Sequence, residues 1–341
     1  MLLPRSSFPL FLLIAGIAAS PLLYAQSQET QDIPSLLRKM QSSAQKLNYS
    51  GTFVYQQANQ MRTSRITHLL EANNELEKLE ILDGKPREYV RHNDEVTCYL
   101  PESKTIQVEK QVTQEVFPSL LTSNAQSLPE SYSIKKAELS RVAGSQCQVL
   151  SFEPKDIYRY GYRLCMDQTS GLLLRAQTVN TKNEVIEQIV FTQLYLGDID
   201  KSRVKPSFQN TAQWHVENLT VQPNINSGWV VKALPAGFKK NREMKRLIPV
   251  SIASNGSTTA AASAASQPKP HEVIQMIFSD GIAAISVFIE PNTQGRTEGS
   301  LQQGAVTIMG KRHGDYWLTA VGEVPFAAIK QVINSIEFKP K

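Results

Sequence analysis

The sequence predicts a mainly β protein with a few helices, divided into two parts of unequal size. Short alternating segments fill residues 49–199, a segment without periodicity follows at 201–227, and a second strand-rich stretch ends in one helix. The 341 residues are 41% hydrophobic and 20% charged, which is typical of folded globular proteins. A chain of this length is expected to form two domains with a core each.

Residues 1–25 have the pattern of a signal peptide. Arg5 supplies a positive charge, residues 10–19 form an apolar run, and Leu23-Tyr24-Ala25 precedes a polar stretch. The first cysteine is Cys98, so no cysteine near residue 26 is placed to carry a lipid anchor. The segment predicts export and cleavage, with an uncleaved membrane anchor as the alternative.

An amphipathic helix is predicted after Asp32, a suitable N-cap residue. Its apolar positions recur at helical spacing: Ile33, Leu36, Leu37, Met40, Ala44 and Leu47. Short strands separated by Asn, Asp, Gly and Pro then follow at 49–57, 63–70, 76–82, 87–92, 96–100 and 105–112. This pattern predicts one large antiparallel sheet with one or two helices against it.

A disulfide between Cys147 and Cys165 is predicted from a hairpin register. Setting Glu153 opposite Arg159 forms a cross-strand ion pair, places Phe152 against Tyr160 and brings the two cysteines directly opposite each other. In this register the bond lies on the polar face, as a surface staple. Two free thiols are the alternative, and Cys98 is interpreted as a small strand residue.

Residues 201–227 are interpreted as an interdomain linker, and residues 228–341 as a second, α+β domain. Asp280-Gly281 predicts a tight hairpin between strands 273–278 and 283–289, with Ser279 opposite Ile282. A closing helix is predicted at 325–336. Residues 251–270 are of low complexity and are predicted to form a loop.

The net charge of +5 is mild, which argues against a nucleic-acid-binding protein. Residues 239–246 nevertheless carry five basic residues and one acidic residue. Clustered Lys and Arg attract anions, so this segment is a candidate docking site for an acidic peptide or for lipid phosphates. A solvated surface segment is the alternative. The candidate partner-binding residues are Phe238, Lys239, Lys240, Arg242, Lys245 and Arg246.

No motif in the sequence predicts an enzyme, a cofactor or a metal site. The histidines at 68, 92, 215, 271 and 313 lack the spacing of metal ligands. Nucleophile elbows and glycine-rich phosphate loops are absent. The sequence therefore favours a binding protein.

Several motifs resemble the RseB/MucB family of periplasmic sigma-factor regulators. In the first part they are Arg141-Val142-Ala143-Gly144, Tyr158-Arg159-Tyr160-Gly161-Tyr162-Arg163-Leu164 and Thr169-Ser170-Gly171-Leu172-Leu173-Leu174. In the second part they are Trp229, Leu234-Pro235-Ala236-Gly237-Phe238, Phe278-Ser279-Asp280-Gly281, Ser286-Val287-Phe288-Ile289-Glu290 and Val321-Gly322-Glu323-Val324-Pro325. Each motif alone is common, but their order along the whole chain after residue 25 is specific. The tract 251–270 departs from the family pattern.

The resemblance implies a lipid-sensing domain at 26–200 similar to LolA and LolB, an unclosed antiparallel β-barrel around helices with an apolar cavity. It also implies a smaller α+β domain at 228–341 that binds the partner. Such proteins bind the periplasmic segment of an RseA/MucA-type anti-sigma factor and protect it from regulated proteolysis. Lipopolysaccharide or phospholipid is the implied releasing signal, the periplasm is the implied location, and the oligomeric state is left open.

Five apolar or aromatic residues are the candidates for the cavity lining. They lie on the first helix, on inward-facing strand positions and in the segment after the sixth strand: Leu36, Met40, Phe53, Tyr55 and Leu121. Apolar stripes more often form packed core, so that is the alternative for these residues. A periplasmic carrier of lipids or lipoproteins is the alternative function.

Overall fold

The computed structural model describes residues 22–110, 117, 120–121, 127–219, 221–248 and 271–339. Residues 1–21 of the predicted signal peptide 1–25 and the predicted loop 251–270 lie outside these ranges. Within the described residues the chain forms 21 β-strands and three α-helices. The protein is therefore mainly β with a few helices, as the alternating segments of the sequence predict. No helix among them has the length and apolarity to cross a bilayer.

The first part of the chain contains two helices and eleven strands. The helices are α1 (Leu22–Lys46) and α2 (Leu128–Ser131). The strands are β1 (Tyr49–Gln57), β2 (Gln60–Glu71), β3 (Asn74–Ile81), β4 (Arg87–His92), β5 (Glu95–Leu100), β6 (Thr105–Glu109), β7 (Tyr132–Val142), β8 (Ser145–Pro154), β9 (Gly161–Asp167), β10 (Leu173–Val179) and β11 (Val185–Leu196).

The second part contains ten strands and one helix. The strands are β12 (His215–Leu219), β13 (Val221–Pro223), β14 (Trp229–Val231), β15 (Lys239–Ile248), β16 (His271–Ser279), β17 (Ala284–Pro291), β18 (Gly299–Gln303), β19 (Val306–His313), β20 (Tyr316–Gly322) and β21 (Ile336–Phe338). The helix is α3 (Phe326–Asn334), with Pro325 in the N-cap position. In the described part of the chain, three short 3-10 helices lie at Pro101–Ser103, Lys201–Val204 and Thr211–Gln213.

Twelve strands form one sheet in the order β12-β6-β5-β4-β3-β2-β1-β11-β10-β9-β8-β7. The order places β1 beside β11, so the sheet runs as two meanders joined in the middle. Strand β12 pairs parallel to β6, while the other pairs in this sheet are antiparallel. The sheet keeps two different edge strands, β12 and β7, and is therefore not closed. We refer to this sheet with α1 and α2 as the first domain.

Helix α1 places its apolar side in the core of the first domain. Leu37, Met40 and Ala44 are buried there together with Phe53 of β1 and Phe191 of β11. The predicted N-cap at Asp32 is wrong, because the helix begins ten residues earlier, at Leu22. The apolar spacing from Ile33 onward predicts the buried side of the helix, but it does not fix where the helix begins.

A second sheet of seven strands has the order β13-β15-β16-β17-β20-β19-β18. Helix α3 supplies Ile329, Val332 and Ile333 to its core, and Trp229 of β14 is buried in the same core. Strands β14 and β21 pair as a separate two-stranded sheet. We refer to these elements as the second domain.

Residues 201–227, the predicted linker, contain regular structure although their sequence shows no periodicity. It contributes β12 to the first sheet and β13 to the second. Ile199 and Val204 form a small buried cluster with Leu69 of β2. Ser207 contacts Lys78 and Glu88 on strands β3 and β4 at 2.6 and 2.8 Å. A linker held by such isolated contacts leaves no regular pattern in the sequence.

Both predicted hairpin registers are wrong by two residues. Phe152 pairs with Tyr162 rather than Tyr160, and Ser279 pairs with Ala284 rather than Ile282. A shift of two keeps each side chain on its predicted face, because side chains alternate with a period of two. The predicted Glu153–Arg159 pair is absent because Arg159 lies in the loop before β9.

The turn after β16 explains the second shift. Asp280 Oδ1 accepts hydrogen bonds from the backbone N–H groups of Ile282 and Ala283 at 3.1 and 2.9 Å. Gly281 has φ +114°, a conformation that glycine adopts without strain. The loop therefore spans four residues, 280–283, instead of the two that Asp-Gly hairpins favour.

Cys147 and Cys165 form a disulfide, with their Cα atoms 5.4 Å apart. The cysteines are diagonal rather than opposite neighbours, because Cys147 pairs with Asp167 and Cys165 with Val149. Both have no exposed surface. The predicted surface staple is therefore wrong in its exposure: the bond lies in the first-domain core.

Candidate functional site

The predicted docking segment 239–246 forms the start of β15, between β13 and β16 in the second sheet. Burial changes along the strand: Lys239 and Lys240 near its start are exposed, whereas Glu243 and Met244 are buried. The predicted basic cluster is therefore a row along a paired strand rather than a separate surface segment.

Most of the basic side chains of β15 already have acidic partners. Lys240 lies 2.7 Å from Glu243, and Lys245 lies 3.0 Å from Glu272. Arg246 lies 2.7 Å from Glu109 of β6, so it joins the two domains. Partial burial and the nearby charge of Arg246 lower the pKa of Arg242. These pairs reduce the charge that β15 presents to a partner, and Lys239 is exposed without an ion pair among the described residues.

Phe238 is buried, unlike the exposed docking residue that the sequence predicts. Its side chain is 5% exposed, and it belongs to the second-domain core. The guanidinium of Arg159 lies over its ring, 5.3 Å from the centroid. Phe238 therefore contacts the first domain and has no surface for a partner.

Four of the five predicted cavity residues share one core. Met40, Phe53 and Leu121 are buried in the first-domain core, and Leu36 packs against it. Phe53 lies in an aromatic cluster with Phe117 and Phe191, with ring centroids 4.9 to 6.0 Å apart. The structure thus brings these residues together as packed side chains.

Tyr55 lies apart from the other four, near the carboxylate of Glu187. Burial and the neighbouring Glu187 raise the pKa of Tyr55. Burial also raises the pKa of Glu187, although hydrogen bonds from Tyr55 and Gln57 oppose the shift. Gln57 also donates to the carbonyl oxygen of Gln303 in the second domain at 3.0 Å. Tyr55 therefore belongs to a polar region at the boundary between the domains.

A polar cleft of about 730 Å³ opens beside this region. Its lining comes from β1, β10, β11 and the β18–β19 hairpin: Gln56, Ala58, Gln177, Val185, Ile186, Glu187, Gln188, Gln302 and Gly304. Gln177, Gln188 and Gln56 form a hydrogen-bonded row across three strands, at 3.0 and 2.8 Å. None of the five predicted cavity residues lines this cleft.

A fully buried ion pair joins the two domains, and the sequence analysis misses it. Arg159 Nη1 donates to Asp280 Oδ2 at 2.8 Å, and neither side chain has exposed surface. Tyr132 Oη donates to the same carboxylate oxygen at 3.1 Å. Arg159 also donates to the carbonyl oxygen of Ala236 and lies 3.0 Å from Asp156. The guanidinium is thus surrounded by partners from both domains.

The charges of this pair have different environments. Burial opposes the charge of Arg159, but the hydrogen bond with Asp156 and the charge of Asp280 outweigh it and raise its pKa. Burial raises the pKa of Asp280, and two backbone N–H groups with Arg159 and Tyr132 offset part of that rise. The guanidinium therefore keeps its charge, and the carboxylate bears the cost of burial.

Sequence reasoning had little chance of finding this pair. Arg159 and Asp280 are 121 residues apart, and each has a local explanation, as a strand residue and as a turn residue. The available signal is that both stand in the motifs 158–164 and 278–281 that carry the family resemblance. No cluster of three His, Cys, Asp or Glu residues suited to a metal ion occurs in the described ranges.

Comparison with known proteins assigns both parts of the chain to one family. The MucB/RseB N-terminal domain model matches residues 32–208, and the MucB/RseB C-terminal domain model matches residues 223–337. The sigma factor AlgU regulatory protein MucB of Pseudomonas aeruginosa is 29% identical, covering 96% of each chain. The sigma-E factor regulatory protein RseB of Haemophilus influenzae is 23% identical, covering 98% of each.

Solved structures show the same similarity in three dimensions. A crystal structure of MucB in complex with MucA(peri) superposes with a TM-score of 0.66 at 26% identity, covering 90% of this chain and 99% of that one. A structure of the Pseudomonas aeruginosa MucA/MucB complex gives 0.68 at 26% identity, covering 91% and 100%. Two domain models together span most of the sequence, and the chain therefore belongs to the MucB/RseB family, whose compared members are sigma-factor regulatory proteins.

Proposed function

We propose that this protein is a periplasmic negative regulator of an envelope stress response. It binds the periplasmic segment of a MucA/RseA-type anti-sigma factor and protects that segment from regulated proteolysis. A lipid-like signal, lipopolysaccharide or phospholipid, releases it. The observation that carries this proposal is the similarity over 90% of the chain to MucB in a complex with MucA(peri).

The mechanism requires binding and no chemical step. The bound protein covers the cleavage site only while it occupies the segment, so protection follows the bound fraction. A lipid releases the partner if it binds better to the form of the protein that lacks the partner. This coupling is reciprocal, so the partner must weaken lipid binding by the same factor.

Two groups of residues are proposed for these two roles. The basic row of β15 contributes to partner binding through Lys239, Lys240, Arg242, Lys245 and Arg246. The apolar residues Leu36, Met40, Phe53 and Leu121 form the part of the first-domain core that an acyl chain contacts. Phe238 supports β15 from within and makes no contact with a partner, because it is buried.

A pull-down with a purified periplasmic fragment of the anti-sigma factor tests the partner. We expect the full chain to retain the fragment at moderate salt and to lose it when lipopolysaccharide is added. Retention that lipid does not change would contradict the signal, and absence of retention would contradict the partner. Uptake of lipid without any retention of the fragment would favour a periplasmic carrier instead.

Salt dependence tests the role of β15. Replacing its five basic residues by Ser should weaken retention more at low salt than at high salt, because exposed charges act collectively and are screened. The matched control replaces Lys182 and Lys330, which are exposed lysines outside β15. In the variant Glu109→Gln, Arg246 loses its ion pair with the first domain but keeps its own charge. Unchanged retention in this variant means that Arg246 acts on the partner directly. Equal retention by the five-fold variant and the control would reject this role.

A further inference from the structure

We propose that Arg159 and Asp280 are positioning residues that latch the second domain against the core of the first. Arg159 belongs to the first domain, in the loop before β9, and Asp280 begins the turn after β16 in the second. Their ion pair measures 2.8 Å and is completely buried. The two domains thus share a charged contact from which water is excluded.

The surroundings of the pair are built from both domains. Tyr132 of the first domain and Phe238 of the second place their rings near the guanidinium, at 5.4 and 5.3 Å from the ring centroids. Tyr132 also binds the carboxylate of Asp280, and the carbonyl oxygen of Ala236 accepts from Arg159. A planar guanidinium with five donors fits such a site, and lysine does not reproduce it.

Two other polar contacts between the domains are more exposed. Arg246 and Glu109 are 27% and 21% exposed, and the Gln57 contact with Gln303 joins an exposed pair. Exposed pairs contribute little, whereas removing one partner of a buried pair leaves an uncompensated charge. The pair of Arg159 and Asp280 is therefore the contact whose loss most favours separation of the domains.

The same turn also closes one side of the first-domain core. Ile282, two residues after Asp280, packs against that core although it belongs to the second domain. The side chain of Asp280 holds the backbone N–H of Ile282 at 3.1 Å. An acyl chain that enters the core from this side has to displace Ile282, and the displacement strains the latch. This second half of the inference rests on the lipid signal proposed above; the latch itself does not.

The variant Asp280→Asn is the direct test. An amide keeps the oxygen that accepts from Ile282 and Ala283, but it presents an N–H group or a neutral oxygen to Arg159. The matched control is Glu290→Gln, because Arg296 lies 2.7 Å from Glu290 and 5.5 Å from the ring centroid of Trp317 within the second domain. The control removes similar chemistry without touching the boundary between the domains.

Interdomain distances are measured on the full chain by electron spin resonance. Cys98 is replaced by Ser, and spin labels are attached to cysteines introduced at the exposed positions Lys182 and Lys330. We expect one narrow distance for the unmodified latch and for Glu290→Gln, and a second, longer distance for Asp280→Asn. The population of the longer distance should rise about a hundredfold, since loss of one partner of a buried pair is strongly unfavourable. Identical narrow distributions in the two variants would overturn the latch.

A second variant covers the case in which Asp280→Asn does not fold. Arg159→Lys keeps a charge opposite Asp280 but loses the planar contacts with Asp156 and Ala236. It should give a longer-distance population larger than those of the parent and of Glu290→Gln. A distribution unchanged from the parent would count against the latch.

Uptake of a fluorescent dodecanoic acid probe tests the ligand half separately. We expect the probe to enter Asp280→Asn at least about tenfold faster than Glu290→Gln, because opening of the latch precedes entry. Equal uptake rates with different interdomain distances would show that the latch does not control entry of the probe. The role of Arg159 and Asp280 in holding the domains together would stand. If neither variant nor parent takes up the probe, the proposed lipid signal fails, whatever the distances show.

Discussion

At the residue scale, several buried charges lie where two segments of the chain meet. Lys78 on β3 is 4% exposed at its side chain and lies 3.3 Å from both Glu80 and Glu88. Its amino group also donates to Ser207 of the ordered linker at 2.6 Å. The linker is thus held by a network in which each charge has a partner.

Replacing Lys78 by Met should destabilise the protein strongly. The substitution keeps most of the side-chain volume but leaves Glu88 buried without its cation, which costs about 3–5 kcal/mol. The control Lys85→Met removes an exposed pair with Glu102 and should change the free energy of unfolding by about 0–1 kcal/mol. Urea unfolding of both variants measures the difference. Similar losses in the two variants would show that Lys78 is not a buried charge.

The buried side chain of His68 makes stability depend on pH. Burial alone would lower its pKa, but the contact of Nε2 with the Glu75 carboxylate at 3.4 Å and the hydrogen bond with the carbonyl oxygen of Leu47 outweigh this and raise it. A raised pKa means that the folded state binds the proton more tightly than the unfolded state. The resulting stability is complete below the ordinary histidine pKa of about 6.5 and is lost as the pH rises through the raised value.

The variant Glu75→Gln isolates this effect. Glu75 lies 3.4 Å from His68 Nε2, and the same contact lowers the pKa of Glu75. The loss of unfolding free energy caused by the substitution should therefore be larger near pH 6 than near pH 8.5. Nuclear magnetic resonance titration should show a lower pKa for His68 in the variant. A loss that is equal at both pH values would contradict the ion pair.

At the element scale, the β8–β9 hairpin shows that alternation predicts which residues share a face but does not predict the register of the strands. The period of two fixes which side chains share a face, and a register shift of two residues leaves those faces unchanged. The register depends on the loop, and this loop holds Arg159 against Asp280 of the second domain. A contact across 121 residues is not encoded in the local pattern. The predicted register is therefore wrong, although the residues predicted to share a face of the hairpin do share one.

The disulfide of this hairpin is expected in the purified protein. Mass analysis of an unreduced digest should find the peptides of Cys147 and Cys165 linked and Cys98 free. Replacing both cysteines by Ser should lower the free energy of unfolding by about 3 kcal/mol, the value for a loop of this length. Cys98→Ser is the control and should have a much smaller effect. Free thiols at 147 and 165 would refute the bond.

Strand β15 illustrates the same limit for a functional segment. The charge of residues 239–246 is visible in the sequence, whereas the acids that neutralise it come from β16 and from β6 of the other domain. Phe238 looks like an exposed apolar anchor beside lysines, yet it is a core residue under Arg159. Composition predicts the presence of charge, and only the fold decides how much of it remains for a partner.

At the scale of the whole molecule, the two domains are joined by a buried ion pair, by apolar packing and by more exposed polar contacts. Ile282 of the second domain packs in the first-domain core, and Arg246 of the second sheet binds Glu109 of the first. The proposed latch predicts that the domains adopt a second relative orientation once the buried pair is broken. This property is what a regulator needs if a ligand in one domain is to alter the binding of a partner.

Calorimetric titration of the full chain with the periplasmic fragment of a MucA/RseA-type anti-sigma factor tests the central claim most directly. We expect saturable binding of the fragment at one site, and a dissociation constant for the fragment that rises about 5- to 150-fold when lipopolysaccharide is present. Titration with lipopolysaccharide in the presence of the fragment should show the same factor. If a folded chain gives no heat and forms no complex with the fragment, the protein does not bind this partner, and the proposed function is contradicted.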